Sequence, residues 1–400
     1  MEHTGHYHRS LVQYLQELDL PVYVMPVQQR PTGLLKTDRR DALILANHLY
    51  SQLALGVQSP DKTHLVRHLL PPNTAAAQLK GWIRHRYELV HECTRRKNKL
   101  TAICDELFPE LVQIFHDPNR PAALAYRERF PTPPALATAS WMALVATRVG
   151  TPPSNVQLQE LQRLAGETIG TRDVVRQRGL VLEQQQLIGE LRLLQAHLAE
   201  LDREIVEVVN QTREGTILLS IPEIGPIQAA AILAAVGNIR NFSRAAELKA
   251  YFGWAPKREQ SGTSRDAEQH AHSGTRTMKQ MLFLIACTAV QRRDSQWHDL
   301  YERLLPRLCT YDERRLAYRG KTRVIVRIAG QMTEMIYAFL ARDAALLDQA
   351  SPGQEPPPPL LYDAETHRRH REGTYRPLKN EPLPRPLLHL PAMPELPGRG

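Results

Sequence analysis

Leu187-Ile188-Gly189-Glu190-Leu191-Arg192-Leu193-Leu194-Gln195-Ala196-His197-Leu198-Ala199-Glu200-Leu201-Asp202-Arg203-Glu204-Ile205-Val206-Glu207-Val208 decides the fold class. Leu187, Leu191, Leu194, Leu198, Leu201, Ile205 and Val208 recur in steps of four and three, the a and d positions of a heptad. Residues 75–107 repeat the pattern at positions 79, 82, 86, 89, 93, 96, 100, 103 and 107. Leu79, Trp82, Leu89, Cys93, Leu100, Ile103 and Leu107 are apolar, and Arg86 and Arg96 interrupt the stripe. A helix of ~30 residues is ~45 Å long, which makes an arm. The two arms can pair within one chain or with copies in a second chain, and a homodimer or higher homo-oligomer is expected.

The composition fits helices. The chain has 400 residues, 42% apolar but only 6% aromatic, which disfavours a large β-sandwich. Its formal charge of +9 points toward polyanions, with nucleic acid the default partner. Cys93, Cys104, Cys287 and Cys309 form no CxxC pair, so they read as reduced thiols. No signal-peptide layout and no apolar run of membrane-spanning length stand out, so the expected location is cytoplasmic.

Outside the arms, residues 1–50 read as α/β. Leu11, Tyr14, Leu15 and Leu18 share a helical face, and Val22-Tyr23-Val24-Met25 reads as a buried strand. Beyond about residue 350 the run Pro356–Pro359 and six further prolines from Pro382 to Pro397 exclude regular structure. Arg368, Arg369, Arg371 and Arg376 make that tail basic.

Four stretches carry candidate chemistry. In Lys36-Thr37-Asp38-Arg39-Arg40-Asp41-Ala42 two aspartates at i and i+3 face the same way. Their repulsion is relieved by a divalent cation, magnesium or manganese for carboxylate-only sites. On spacing alone they read first as a solvated helix start. Glu2 precedes Thr4-Gly5 and a helix, as a third carboxylate at a strand end or as a frayed terminus. Ile221-Pro222-Glu223-Ile224-Gly225-Pro226 joins two helices in a helix-hairpin-helix pattern. Backbone amides there, around Gly225, hold a nucleic-acid phosphate; the alternative is a plain helical turn. Finally, Lys257 and Arg258 precede Ser261-Gly262, which reads as an exposed nucleophile near phosphate-binding cations or as a common dipeptide without a role. Arg276 opens the next helix, in another phosphate-facing position or in a capped core helix.

Taken in order, these motifs resemble one family, the DEDD insertion-sequence transposases numbered one-ten. Glu2-His3-Thr4-Gly5-His6-Tyr7 is similar to its Glu-x-Thr-Gly-x-Tyr motif, and residues 36–42 to its Lys-x-Asp-x-x-Asp-Ala motif. Ile221 to Gly225 and Gly253 to Gly262 resemble its C-terminal domain, including the Gln-Ser-Gly element. The resemblance covers most of residues 1–340. It implies a mainly α fold: a remnant of an RNase H-like, RuvC-like α/β domain at 1–74 and coiled-coil-like arms at 75–214. A C-terminal helical transposase domain with helix-hairpin-helix follows at 215–345, then a disordered Pro/Arg-rich tail at 346–400.

The resemblance also implies an activity: insertion-sequence transposition by DNA cleavage and rejoining through a phosphoserine link. Ser261 would be the nucleophile, and Glu2, Asp38 and Asp41 would bind Mg2+ (or Mn2+). Gly225, Lys257, Arg258, Gly262 and Arg276 would contact nucleic acid, and a guide (bridge) RNA would pair with target and donor DNA. The family's first acid lies upstream of its Glu motif, whereas this sequence opens Met1-Glu2. An N-terminally truncated copy is therefore expected, with 1–50 poorly packed around an exposed sheet edge and at most one or two strands. The competing functions are a non-catalytic DNA- or RNA-binding protein and a RuvC-type junction nuclease that does not use Ser261.

Overall fold

The structure is a computed structural model that describes residues 8–24, 37–55, 67–68, 70, 72–254, 256–261, 265–270, 275–351 and 355–363. At residues 8–9, 24, 67–68, 256–261 and 265–270 it describes backbone alone. The chain divides into two compact units, 81–207 and the remainder.

The remainder begins with α1 (His8–Glu17), β1 (Tyr23–Val24), α2 (Asp38–Leu53) and β2 (Arg67–His68). β1 and β2 pair antiparallel over two residues each, the only sheet described before residue 256. Val12 and Val22 are buried, but α2 buries no residue, and Leu43, Tyr50 and Leu53 are exposed. The apolar residues of α2 therefore have little cover among the described residues.

Unit 81–207 is built on two long helices, α3 (Thr74–Leu107) and α9 (Val174–Asn210), which run across its boundaries. Three ion pairs give their direction. Arg86 pairs with Asp202 at 2.6 Å, Arg96 with Glu190 at 2.9 Å and Arg176 with Glu106 at 2.6 Å. Partners descend along α9 as they ascend along α3, so the arms are antiparallel and pair within one chain. Arg86 and Arg96, which interrupt the apolar stripe, are the residues that cross-link it. Charge supports this choice: α3 carries seven basic and four acidic residues, α9 four basic and six acidic. Cys93, Leu100, Ile103 and Leu107 pack with Leu180, Leu187, Ile188 and Leu191. Leu194, Leu198 and Leu201 are only half-buried, as two helices without a third leave them.

The rest of this unit caps the arms with α4 (Leu111–Phe115), α5 (Pro121–Arg129), α6 (Pro133–Ala137), α7 (Trp141–Ala146) and α8 (Asn155–Gly166). The starts of α5 to α8 are written locally: Pro121 at the head of α5, Thr132 and Ser140 as N-caps, and a Ser154–Gln157 capping box. Phe115, Tyr126, Leu144, Leu158 and Leu161 fill the cap's core. Buried Arg127 ties cap to arms, donating to the Leu100 carbonyl at 2.7 Å, Gln184 Oε1 at 2.9 Å and the Pro118 carbonyl at 3.0 Å. Residues 81–207 hold sixteen basic and sixteen acidic side chains. This unit is thus not the seat of the chain's positive charge.

The other unit continues with α10 (Arg213–Leu219), α11 (Pro226–Val236), a 3-10 turn (Ile239–Asn241), α12 (Ala245–Tyr251), β3 (Pro256–Ser261) and β4 (Arg265–His270). Then come α13 (Arg276–Gln291), α14 (Gln296–Leu308), β5 (Thr310–Asp312), β6 (Ala317–Arg319) and α15 (Thr322–Gln349). α15 is long and apolar enough by length and composition to cross a membrane, which the sequence reading did not single out. Its apolarity has another cause: Val324, Ile328, Met332, Ile336 and Leu340 are buried where α12, α13 and α14 pack on it.

Two expected boundaries differ. Residues 70–80 belong with the C-terminal helices: Asn73 donates to Glu214 at 2.8 Å, and the Leu70 amide to Asn241 at 3.2 Å. The tail expected to lose structure at 346 continues in α15 to Gln349, and residues 355–363 are pinned. Arg213 pairs with buried Asp343 at 2.7 Å and donates to the Pro357 and Pro358 carbonyls, while the Leu360 amide reaches Asp343. Prolines exclude a helix there, yet their carbonyls still accept hydrogen bonds.

Candidate functional site

The first candidate group lies on α2. Thr37 is extended and its hydroxyl accepts from the Arg40 amide at 3.4 Å, so the helix starts at Asp38. Asp38 and Asp41 occupy its first turn, the first exposed and the second half-buried. There they complement the helix dipole, whether or not a cation joins them. Glu2 lies outside the described residues, and no cluster of three or more potential ligands occurs among those described. Two adjacent carboxylates form a hard-oxygen donor pair that suits a divalent ion when a third acid and water complete it.

Ser261 lies on a separate element. β3 and β4 form an antiparallel ribbon with six residue pairs, from Pro256↔His270 to Ser261↔Arg265. Ser261 is the last paired residue before the turn; Gly262 lies outside the described residues. Lys257 and Arg258 sit in the same strand, opposite Gln269 and Glu268. The ribbon's root is fixed. The Thr275 amide donates to the Tyr251 carbonyl at 3.1 Å, and Lys279 stands 5.6 Å from the ring of buried Trp254. Five residue steps of ~3.4 Å place Ser261 ~17 Å along the strand from Pro256. Arg276 is exposed as the first residue of α13.

Gly225 is the N-cap of α11, joined to α10 by Ser220–Ile224. Its amide donates to Gln228 Oε1 at 2.6 Å. A Cβ at position 225 would also stand 2.6 Å from that oxygen. With Pro226 lacking an N–H, Ile227 and Gln228 hold the first-turn amides that have no intrahelical acceptor.

Sequence reasoning passed over Glu223, on the same turn. Its Oε1 accepts from the Ser295 hydroxyl at 3.0 Å, while Oε2 is buried without a partner. Burial pushes its carboxyl above the usual range, against the Ser295 hydrogen bond and nearby Arg292. Arg292 also donates to the Pro222 carbonyl at 3.2 Å, so the α13–α14 loop braces the turn. The only signal in the sequence is a lone glutamate between apolar Ile221 and Ile224.

Two segments of the chain match known families. Residues 1–109 match a family described as transposase, of the IS110 DEDD type, and residues 215–302 match the transposase IS116/IS110/IS902 family. The insertion element IS110 uncharacterized 43.6 kDa protein of Streptomyces coelicolor is 26% identical over 80% of this chain and 74% of its own length. The insertion element IS116 uncharacterized 44.8 kDa protein of Streptomyces clavuligerus is 22% identical over 79% of this chain and 74% of its own. The pilin gene-inverting protein of Moraxella bovis is 26% identical over 36% of this chain and 44% of its own.

Proposed function

We propose that this chain acts as a transposase of the IS110 kind, a reading its two matched segments support, and that it cuts and rejoins DNA through Ser261. The supporting observation is the position of Ser261 at the last pair of a ribbon whose root is locked between α12 and α13. A nucleophile there reaches out to a duplex while its base stays fixed. The Ser261 oxygen attacks a backbone phosphorus and gives up its proton. The P–O bond to one sugar oxygen breaks, and that oxygen leaves carrying a proton. The reverse attack restores a phosphodiester and frees the serine, so bond energy is conserved.

A matched DEDD domain points to divalent-metal dependence in general. Asp38, Asp41 and Glu2 are our candidates to hold the ion, Mg2+ or Mn2+, which when bound shields phosphate charge. Thr37 fixes the two aspartates by starting α2, and Lys257, Arg258, Arg276 and the α11 turn bind flanking phosphates. In this reading α10, the 220–225 turn and α11 act as a helix-hairpin-helix. A guide RNA supplies sequence recognition by pairing, and a homodimer brings Ser261 of one subunit to the acids of another.

The test is cleavage of a supercoiled plasmid carrying the element's ends, with the guide RNA added, in Mg2+ and in EDTA. Asp38→Asn and Asp41→Asn should lower cleavage at least a hundredfold, and EDTA should abolish it. Unchanged cleavage in both variants would remove the acids from the mechanism. Cleavage that persists in Ser261→Ala would favour a junction nuclease.

A further inference from the structure

Residues 303–327 hold eight basic side chains, Arg303, Arg307, Arg314, Arg315, Arg319, Lys321, Arg323 and Arg327, against two acids, Asp312 and Glu313. That is +6 of the chain's +9 in 25 residues, beyond the stretch 215–302 that the transposase family covers. The segment comprises the end of α14, the β5–β6 ribbon and the first turns of α15. Asp312 is consumed inside the ribbon. It pairs with Arg319 at 2.6 Å, approaches Arg315 at 4.0 Å and accepts from the Arg314 amide at 3.1 Å. Arg314, Lys321, Arg323 and Arg327 are exposed and have no carboxylate partner among the described residues.

This is a costly arrangement for a solvated face. Arg323 and Arg327 stand four apart on α15, where like charges repel, and the positive end of the helix dipole adds to the same sign. The tip is strained as well. Leu316 has φ +49 and is 78% exposed, an apolar side chain held in water by a left-handed turn. Tyr311 and Tyr318 stiffen the ribbon by meeting edge-to-face across the strands at 5.2 Å.

We propose that the β5–β6 ribbon and the start of α15 form a second nucleic-acid surface, one that takes duplex DNA. The proposal rests on the transposase reading and adds a binding site to it. A two-stranded ribbon fits the ~12 Å major groove of B-form DNA, whereas the A-form groove of RNA is deep and narrow. The tip enters the groove, and Arg314, Lys321, Arg323 and Arg327 neutralise phosphates on its walls.

The experiment is anisotropy titration of a fluorescein-labelled random-sequence 30-bp DNA duplex with the full chain, across 50–200 mM KCl. The quadruple variant Arg314→Ala/Lys321→Ala/Arg323→Ala/Arg327→Ala removes the proposed contacts. With three of four on phosphates, the salt slope becomes shallower by about 2.7 and affinity at 0.15 M falls on the order of a hundredfold. Arg314→Lys/Arg323→Lys/Arg327→Lys keeps the charge and should keep the slope, and equal melting curves exclude misfolding. A quadruple variant with wild-type slope overturns the proposal and leaves the transposase reading intact. A 30-bp RNA duplex bound more tightly, with the same loss in the variant, reassigns the surface and overturns the choice of DNA. Wild-type protein that binds neither duplex also overturns this proposal, while the functional reading is decided separately by guide-RNA-dependent cleavage.

Discussion

Arg127→Met tests how the cap of residues 81–207 is held on its arms. Arg127 is buried without an ion pair among the described residues, and burial holds its guanidinium below the usual arginine range, against the pull of Cys104 and Asp105. Methionine fills a similar volume but donates nothing. The Leu100 carbonyl lies within α3 and keeps its helical donor, so three acceptors lose theirs: the Pro118 carbonyl, Gln184 Oε1 and, at 3.4 Å, Asn119 Oδ1. Each buried unmatched acceptor costs about 1–3 kcal/mol, and relief of the buried charge offsets part of the sum. A net loss of about 3 kcal/mol raises the locally open population about 150-fold.

Cys104 reports that opening. It is buried against Phe108 and Leu111, and burial pushes its thiol up to about 11, so it alkylates only when the cap lifts. Iodoacetamide pulses on the full chain, read by mass spectrometry at Cys104, should show roughly that acceleration in Arg127→Met. Arg127→Lys should fall between, since a single ammonium cannot span the acceptors. A Cys104 rate in Arg127→Met within twofold of wild type would refute the reasoning.

Two further outcomes follow from the other unit. Burial raises the Glu223 carboxyl, so its stabilising protonated form is present at low pH and lost as pH rises through the folded-state value. Glu223→Gln should therefore melt about 2 °C above wild type at pH 8, with the gap closed at pH 4; a constant gap would contradict this. Asp343→Asn strips the charge that Arg213 and the Leu360 amide share, and breaking such a buried pair costs about 3–5 kcal/mol. Hydrogen exchange at Leu360 and Tyr362 should then accelerate on the order of a hundredfold, and unchanged protection would show that the segment is held by other contacts.

The parts of the fold visible in the sequence are those set by local period. The 3-4 spacing at 79–107 and at 187–208 marks α3 and α9, because one apolar stripe per helix is a local property. Their pairing within one chain was not visible, since it depends on Arg86 meeting Asp202, 116 positions away. Pinning of residues 355–363 escaped for the same reason: Arg213 and Asp343 are 130 residues apart. At the candidate site, Asp38 and Asp41 are legible as an i, i+3 pair at a helix start, whereas the Thr37 cap that sets that start was not singled out. Glu223 and the surface of the 303–327 segment are not legible, because burial and exposure give them meaning and no short motif encodes either.

The account turns on Ser261, and one measurement addresses it directly. The chain is incubated with guide RNA, Mg2+ and a 32P-labelled DNA carrying the element's end, then denatured and digested with protease. A phosphate-linked nucleotide on the peptide containing Ser261, absent from Ser261→Ala, is the predicted result. A covalent link mapped to another residue, or cleavage by Ser261→Ala at the wild-type rate, would contradict it.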